Sequence, residues 1–293
     1  MINLYIFKTI NAYMPESQAY FEYFSKFSNY NVFFTHEIPK PGICDVLIIP
    51  YGFFPAFKFH NRDYILVAEY ASLSTGRFKY FKDKLKKYFN CKADITTYLN
   101  VNVRNVMEYG CGVKVNRGMG YFKNKLKERK KIEYDVVYSG ANRVGVEAAI
   151  KELADLGVVV CTLGNVDIVH KNIICKGNVT LDEVYEVYSK SKFGLNYTPD
   201  EYPYNVQDST KSIEYIASGL RLISNRYKWI EDFERKMDVE FIYLDDVDIK
   251  GKINTVDVVC EPGGNIIDDL SWDKIISNSG LKQAIDKYVS ERR

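Results

Sequence analysis

One stretch of this chain permits few folds. Residues 193–233, FGLNYTPDEYPYNVQDSTKSIEYIASGLRLISNRYKWIEDF, open with a short apolar run, Phe193–Tyr197, that breaks into a loop rich in Pro, Asp and Asn. From Asp208 the pattern turns helical. Ser209 and Thr210 suit a helix start, Ile213, Ile216 and Ala217 share a face, and Gly219 supplies the stop. A second apolar run, Leu220–Ser224, follows at once. Two buried-looking strands joined through a helix make a parallel βαβ crossover. The loop of such a unit lies at the carboxyl edge of the sheet, where ligands bind.

That helix start carries chemistry. Ser209, Thr210 and the first-turn amides form an anion-binding end, reinforced by the helix dipole and Lys211, with Asp208 just ahead. Glu214, one turn on, is placed to accept from a sugar hydroxyl if the anion is a nucleotide diphosphate. The same residues also suit an ordinary capped helix with a Lys211–Glu214 surface pair. A second candidate turn, Ser139-Gly-Ala-Asn-Arg-Val-Gly145, joins a predicted strand, Asp135–Tyr138, to a predicted helix, Gly145–Leu156. Gly140, Ala141 and Asn142 turn the chain and Arg143 is its cation. It matches neither the dinucleotide fingerprint nor the P-loop, and alone it is weak. Two anion-binding turns in one half-chain favour a diphosphate ligand.

The 293 residues carry 46% hydrophobic and 15% aromatic content, enough for one large core or two modest ones. Forty basic against 38 acidic residues leave +2, so no global field argues for nucleic acid. Six cysteines are scattered without a CxxC pair or a Cys/His ligand spacing, which fits reduced, packed thiols in the cytoplasm. No basic leader followed by a long apolar core opens the chain, and no run reaches 18 apolar residues. The expectation is a cytoplasmic protein, peripheral at most on the inner face of the membrane.

Strand-like runs at 2–7, 32–35, 45–49, 64–68 and 94–97 alternate with helical patterns at 16–27 and 101–109. Gly76–Phe89, GRFKYFKDKLKKYF, is the most lopsided segment: aromatics recur at helical spacing while six Lys/Arg face one acid, Asp83. Such a helix suits an anionic membrane surface, or else docks its aromatics on the core. The run KNKLKERKK at 123–131 reads as a solvated linker. Beyond it, a strand at 158–163, a capping box at Thr180-Leu-Asp-Glu183, a strand at 241–244 and closing helices at 272–289 complete a second α/β series. Leu244-Asp-Asp-Val-Asp248 contains a DxD, but nothing around it is organised to hold metal, and no metal is expected. His36, His60 and His170 are isolated.

The second half resembles glycosyltransferases of the two-Rossmann-domain type, the GT-B fold, and within it the retaining family 4. Residues 212–224 resemble that family's EAMA-x-G-x-PVI-x-T passage, 114–122 its IPNGVD-x-x-F passage, and 176–191 its GxV…E-L…Y…A-D helix. Asp135–Gly140 resembles the strand opening the donor domain, and Leu270-Ser-Trp272 the SW before the closing helix. The resemblance implies an α/β chain with two Rossmann-like domains facing a cleft: an acceptor domain at 1–128, a donor domain at 129–275, and a C-terminal helix at 276–293 closing back toward the first domain. It implies that Ser209, Thr210 and Lys211 hold the donor phosphates opposite Asn142 and Arg143, with Glu214 on the ribose. Two departures stand out: Val206 occupies the position of the family's second acid, and the first strand ends in Ile10-Asn-Ala12 rather than a Gly-rich turn.

The expected activity is metal-independent transfer from a nucleotide-diphosphate sugar, UDP- or GDP-linked, with no separate cofactor. The expected acceptor is a hydroxyl of a cell-surface glycan or lipid-linked precursor. Arg143 and Lys211 would stabilise the departing diphosphate, while Glu69 and His60, at loop edges of the first domain, are candidates to assist the acceptor. Two alternatives are a nucleotide-sugar epimerase on the same fold and a non-catalytic nucleotide- or membrane-binding module. A transferase acting on modified nucleic-acid bases is not encouraged by the charge.

Overall fold

The computed structural model describes residues 1–9, 14–255 and 266–292. The Ile10-Asn-Ala12 turn and Cys260 lie outside them. The chain divides into two compact units, Met1–Met119 with Trp272–Arg293, and Gly120–Ser271.

The first unit begins with β1 (Ile2–Phe7), α1 (Pro15–Phe24), β2 (Tyr30–Thr35), β3 (Val46–Pro50) and β4 (Ile65–Tyr70). It continues through α2 (Lys79–Phe89), β5 (Ile95–Tyr98), α3 (Val101–Met107) and β6 (Val113–Asn116). All six strands are parallel, in the order β2-β1-β3-β4-β5-β6. Strands β3 and β4 are apolar nearly throughout because a parallel sheet is covered on both faces; every residue of β4 is buried.

The second unit holds β7 (Tyr134–Ser139), α4 (Val146–Asp155), β8 (Val160–Leu163), β9 (Ile173–Cys175), α5 (Leu181–Ser189) and β10 (Ser191–Asn196). Then come α6 (Thr210–Ala217), β11 (Arg221–Ser224), α7 (Lys228–Met237), β12 (Ile242–Tyr243) and α8 (Ile249–Thr255). Its sheet is also wholly parallel, ordered β9-β8-β7-β10-β11-β12. That is the doubly wound order in which the winding direction reverses between β7 and β10. Val136, Ile150, Leu153, Val160, Phe193 and Leu195 lie in its fully buried core.

Helices α9 (Trp272–Ser279) and α10 (Leu281–Arg292) belong to the first unit. The C-terminus therefore closes back on that unit, as the sequence implied. Leu281 and Ile285 are fully buried, the Tyr30 hydroxyl donates to Asp286 at 2.5 Å, and Arg292 pairs with Asp94 at 3.3 Å.

The local signals read from sequence are built as expected. Thr180 and Glu183 form a complete capping box on α5, and Gly219 follows α6 with φ of 76°, a conformation open to glycine. The stretch 123–131 is mostly exposed, as a solvated linker would be, but Arg129 and Lys130 are engaged elsewhere in the second unit. Arg129 donates to the carbonyls of Tyr188 at 2.7 Å and Ser191 at 2.5 Å, and Lys130 pairs with Glu186. Arg129 thereby supplies donors to carbonyls of the buried Tyr188 and Ser191, which are shielded from water at the α5–β10 corner.

Candidate functional site

The reversal between β7 and β10 leaves a crevice at their carboxyl ends, because the loops leaving the two strands turn to opposite faces of the sheet. Both loops singled out in the sequence start there: Gly140–Gly145 leads from β7 into α4, and Tyr197–Ser209 leads from β10 into α6. The structure brings them together through four close approaches. Lys211 Nζ lies 4.6 Å from the centre of the Tyr138 ring, and Arg143 lies 5.2 Å from that of Tyr204. A Cβ on Gly145 would meet the Tyr197 hydroxyl at 2.2 Å, and one on Gly140 would meet Lys211 Nζ at 3.6 Å.

Electrostatics at this point are unusual. Arg143 is exposed, Lys211 is half-buried one helical turn from the buried Glu214, and among the described residues neither cation forms an ion pair. Burial and then the Arg143 charge push the Lys211 ammonium down to about 7, against a smaller opposing pull from Glu214. Burial pushes the Glu214 carboxyl up to about 8, although a hydrogen bond from Tyr185 and the Lys211 charge favour its ionised form. At neutral pH this end of the crevice can gain or lose a proton in response to a ligand's charge.

Helix α6 is fixed from behind by a buried polar network. Ser209 caps it, accepting from the Ser212 amide at 3.4 Å and hydroxyl at 3.0 Å while donating to Asn196 Oδ1 at 3.0 Å. Asn196 in turn donates to Ser224 and to the Tyr227 hydroxyl, each at 3.0 Å. The Ser209 hydroxyl is thus occupied in positioning the helix rather than directed at a ligand. Thr210 and Lys211 open the first turn, where amides have no intrahelical acceptor. Asp208 is half-buried immediately before the cap.

The loop after β7 is less of an amide cradle than its glycine suggests. The Gly140 amide donates to Leu163 and the Asn142 amide to Asn165, while the Asn142 side chain donates to Glu147 at 2.6 Å. Ala141 and Asn142 are exposed. The loop's offer to an anion is chiefly the Arg143 guanidinium.

Sequence reasoning missed the aromatic shell. The Tyr215 hydroxyl receives the Ser139 amide at 2.9 Å, the Tyr188 hydroxyl and Ser139 Oγ are 2.6 Å apart, and the two rings meet edge-on at 5.0 Å. Gly194 lets Tyr215 lie against β10: a Cβ there would meet the ring at 2.2 Å. We expect Gly194→Ala to cost about 1–3 kcal/mol by overpacking. Thermal melting checks this; an unchanged Tm would show that Tyr215 can move aside. The only hint in the sequence was a glycine inside an apolar strand.

The first-unit candidates lie in different settings. His60 is exposed, just after a short helical turn at Ala56–Phe59. Glu69 is not an open group at a loop edge. It is 2% exposed, ion-paired with the equally buried Arg117, and accepts from the Tyr20 hydroxyl at 3.3 Å. Arg117 also lies 5.1 Å from the centre of the Trp272 ring. The nearby Glu16 carboxyl is pushed up to about 7, by burial and then by the Glu69 charge, with Arg117 opposing. A strand end with β-sheet neighbours on both sides packs its acid inward, where only a cation makes burial tolerable.

In the DxD segment, Asp246 pairs with Lys252 at 2.8 Å and accepts the Tyr243 amide, while Asp248 accepts the Gly251 amide. Among the described residues no group of three or more His, Cys, Asp or Glu is arranged to hold a metal ion.

No protein-family model matches the chain, and no curated protein sequence matches it. Solved structures do. AviGT4, a glycosyltransferase involved in avilamycin A biosynthesis, is similar with a TM-score of 0.63 at 8% identity, covering 99% of both chains. A sucrose-phosphate synthase from Thermosynechococcus elongatus is similar with a TM-score of 0.58 at 10% identity, covering 98% of this chain and 94% of the other. A UDP-GlcNAc 2-epimerase from Methanocaldococcus jannaschii is similar with a TM-score of 0.53 at 10% identity, covering 96% of this chain and all of the other. At such identities the likeness is one of fold: two Rossmann-like α/β units of the GT-B kind in one chain.

Proposed function

We propose that the chain is a glycosyltransferase that draws a sugar from a nucleotide diphosphate held at the β7/β10 crevice. The observation that carries this is the convergence of Arg143 and Lys211 across the two loops, with the buried Glu214 a turn deeper. As the bond between the anomeric carbon and the β-phosphate oxygen breaks, negative charge grows on the leaving diphosphate. Two cations and a helix N-terminus already in place stabilise that charge without rearrangement. Glu214, protonated near neutral pH, can both donate to and accept from the ribose hydroxyls. The acceptor is a hydroxyl of a cell-surface glycan or a lipid-linked precursor, in keeping with the notion of polysaccharide assembly. No separate cofactor is part of this reading, and nucleic acid is not its acceptor. The family-4, retaining assignment belongs to the same proposal.

Nucleotide binding tests it. At a hundred times its Kd, the correct nucleotide among UDP, GDP, ADP and CMP stabilises the fold by about 2.7 kcal/mol, seen as a raised Tm. UDP or GDP is the expected ligand. Glu214→Ala should weaken nucleoside diphosphate binding while leaving inorganic pyrophosphate binding unchanged, since only the former carries a ribose. No shift with any nucleotide would remove the donor site.

A second reading has a specific ground: one of the similar structures is a UDP-GlcNAc 2-epimerase, and the β7/β10 crevice would serve either chemistry. Product analysis separates the readings. A transferred sugar supports the transferase, an isomerised donor the epimerase, and an unchanged donor a non-catalytic nucleotide-binding module.

A further inference from the structure

Helix α2 is built inside out. Its one acid, Asp83, is 3% exposed and accepts the Ser74 amide at 2.9 Å. Lys87 turns inward and donates to the Val106 carbonyl at 2.9 Å, and Lys86 is half-buried, its ammonium pushed down by burial. The opposite face carries Phe81, 60% exposed, and Tyr88, 56% exposed, flanked by exposed Phe78, Tyr80 and Phe89. An amphipathic helix on a soluble core directs its rings inward; here the polar stripe is anchored and the rings are turned out.

The patch extends beyond the helix. Pro55 bridges to Asn90, whose side chain accepts the Phe54 amide at 2.8 Å and donates to the Gly52 carbonyl at 3.1 Å. The loop thereby tied to the end of α2 presents Phe53 and Phe57, 53% and 76% exposed, with exposed Lys58 between aromatic neighbours. Arg77, Lys82 and Lys84 are exposed among the rings, and no exposed acid lies between residues 64 and 107.

We infer that this face docks on an anionic lipid bilayer, its rings at the headgroup level and its lysines on the lipid phosphates. Protein–protein interfaces exclude lysine from their centres, whereas here lysines interleave with the rings. A second copy of the chain would bring like charges together. An anionic bilayer alone accommodates both residue types at once, the long lysine stems lying along the acyl boundary. Taken with the transferase reading, on which this last step rests, the docked face makes the acceptor a lipid-linked one. No helix among the described residues is long and apolar enough to cross a membrane, so the contact is with one leaflet surface.

Vesicle flotation tests the inference. The intact chain should float with phosphatidylcholine vesicles containing about one-third phosphatidylglycerol, but not with pure phosphatidylcholine, and should detach at about 1 M salt. The double variant Phe81→Ser/Tyr88→Ser should bind at least about tenfold more weakly. Lys82→Glu/Lys84→Glu, which leaves every ring in place, should lose the preference for anionic vesicles. Equal flotation with neutral vesicles, no flotation, or unchanged binding by both variants overturns the inference. So does a wild-type dimer in solution that the ring variant converts to a monomer, which would make a second copy the occupant. The nucleotide-dependent Tm shift, read without vesicles on the same proteins, reports separately on the donor site.

Discussion

Under the proposed transferase function, replacing Lys211 by Met should lower transfer by about a hundred- to a thousandfold, the range seen when one preorganised partner of transition-state charge is lost. Lys211 Nζ stands over the Tyr138 ring and shares the crevice with Arg143. Arg143→Ala should fall in the same range, and the double variant should lose little more than either alone, because the two cations act on one diphosphate. Initial rates at saturating donor measure this; normal turnover in either single variant would remove the donor assignment.

The same substitution separates binding from stability. The Lys211 ammonium is depressed from its ordinary range to about 7 in the fold. A depressed lysine destabilises the folded state wherever the unfolded chain is protonated and the fold resists the charge. The penalty is full below pH 7, shrinks as pH rises from 7, and is gone above the ordinary lysine range. Lys211→Met should therefore melt higher than wild type at pH 7 and equal it in strongly alkaline buffer. Glu214, raised to about 8, works the other way, its penalty relieved as pH falls from 8 toward 4.5. A diphosphate restores the charged lysine, so binding should take up a proton near neutral pH and weaken as pH rises above 7. Calorimetry in buffers of different ionisation enthalpy detects the proton; its absence would show that Lys211 stays charged in the free protein.

The second large effect is on folding. Arg117→Met leaves Glu69 and Glu16 buried without their cation, which costs about 3–5 kcal/mol and lowers Tm by roughly 10 °C. Acidification should shrink the deficit, since protonation neutralises both carboxyls. Adding Glu69→Gln should recover much of the loss, because the charge that needed Arg117 is gone. Denaturant midpoints of the three proteins decide it: a single variant as stable as wild type would show that water reaches this cluster.

Legibility in the sequence followed how local each cause was. The βαβ unit around α6, the capping box at Thr180 and the apolar runs of β3 and β4 were readable, because caps and periodicity act within a few residues. Helices α7 and α8 and the short strand β9 were not read. Helix α7 starts after Tyr227 with no side-chain cap, α8 is seven residues long, and β9 is three residues long at a sheet edge. Ser209 was read as a ligand group because a cap and an anion site share one residue pattern; only Asn196, thirteen residues earlier, shows that its hydroxyl is occupied. Glu69 looked open for a similar reason, since its partner Arg117 directly follows β6, 48 positions later in the sequence.

By itself the sequence determined the α/β class, the parallel strands and the two loops that begin at strand ends, since hydrophobic period and turn residues act locally. The strand order was decided only in three dimensions. Placing β7 beside β10 lets Arg143 and Lys211, 68 positions apart in the sequence, share one crevice. Which way α2 turns its rings was likewise settled by hydrogen bonds outside the helix, Asp83 to the preceding loop and Lys87 to α3, which periodicity cannot record.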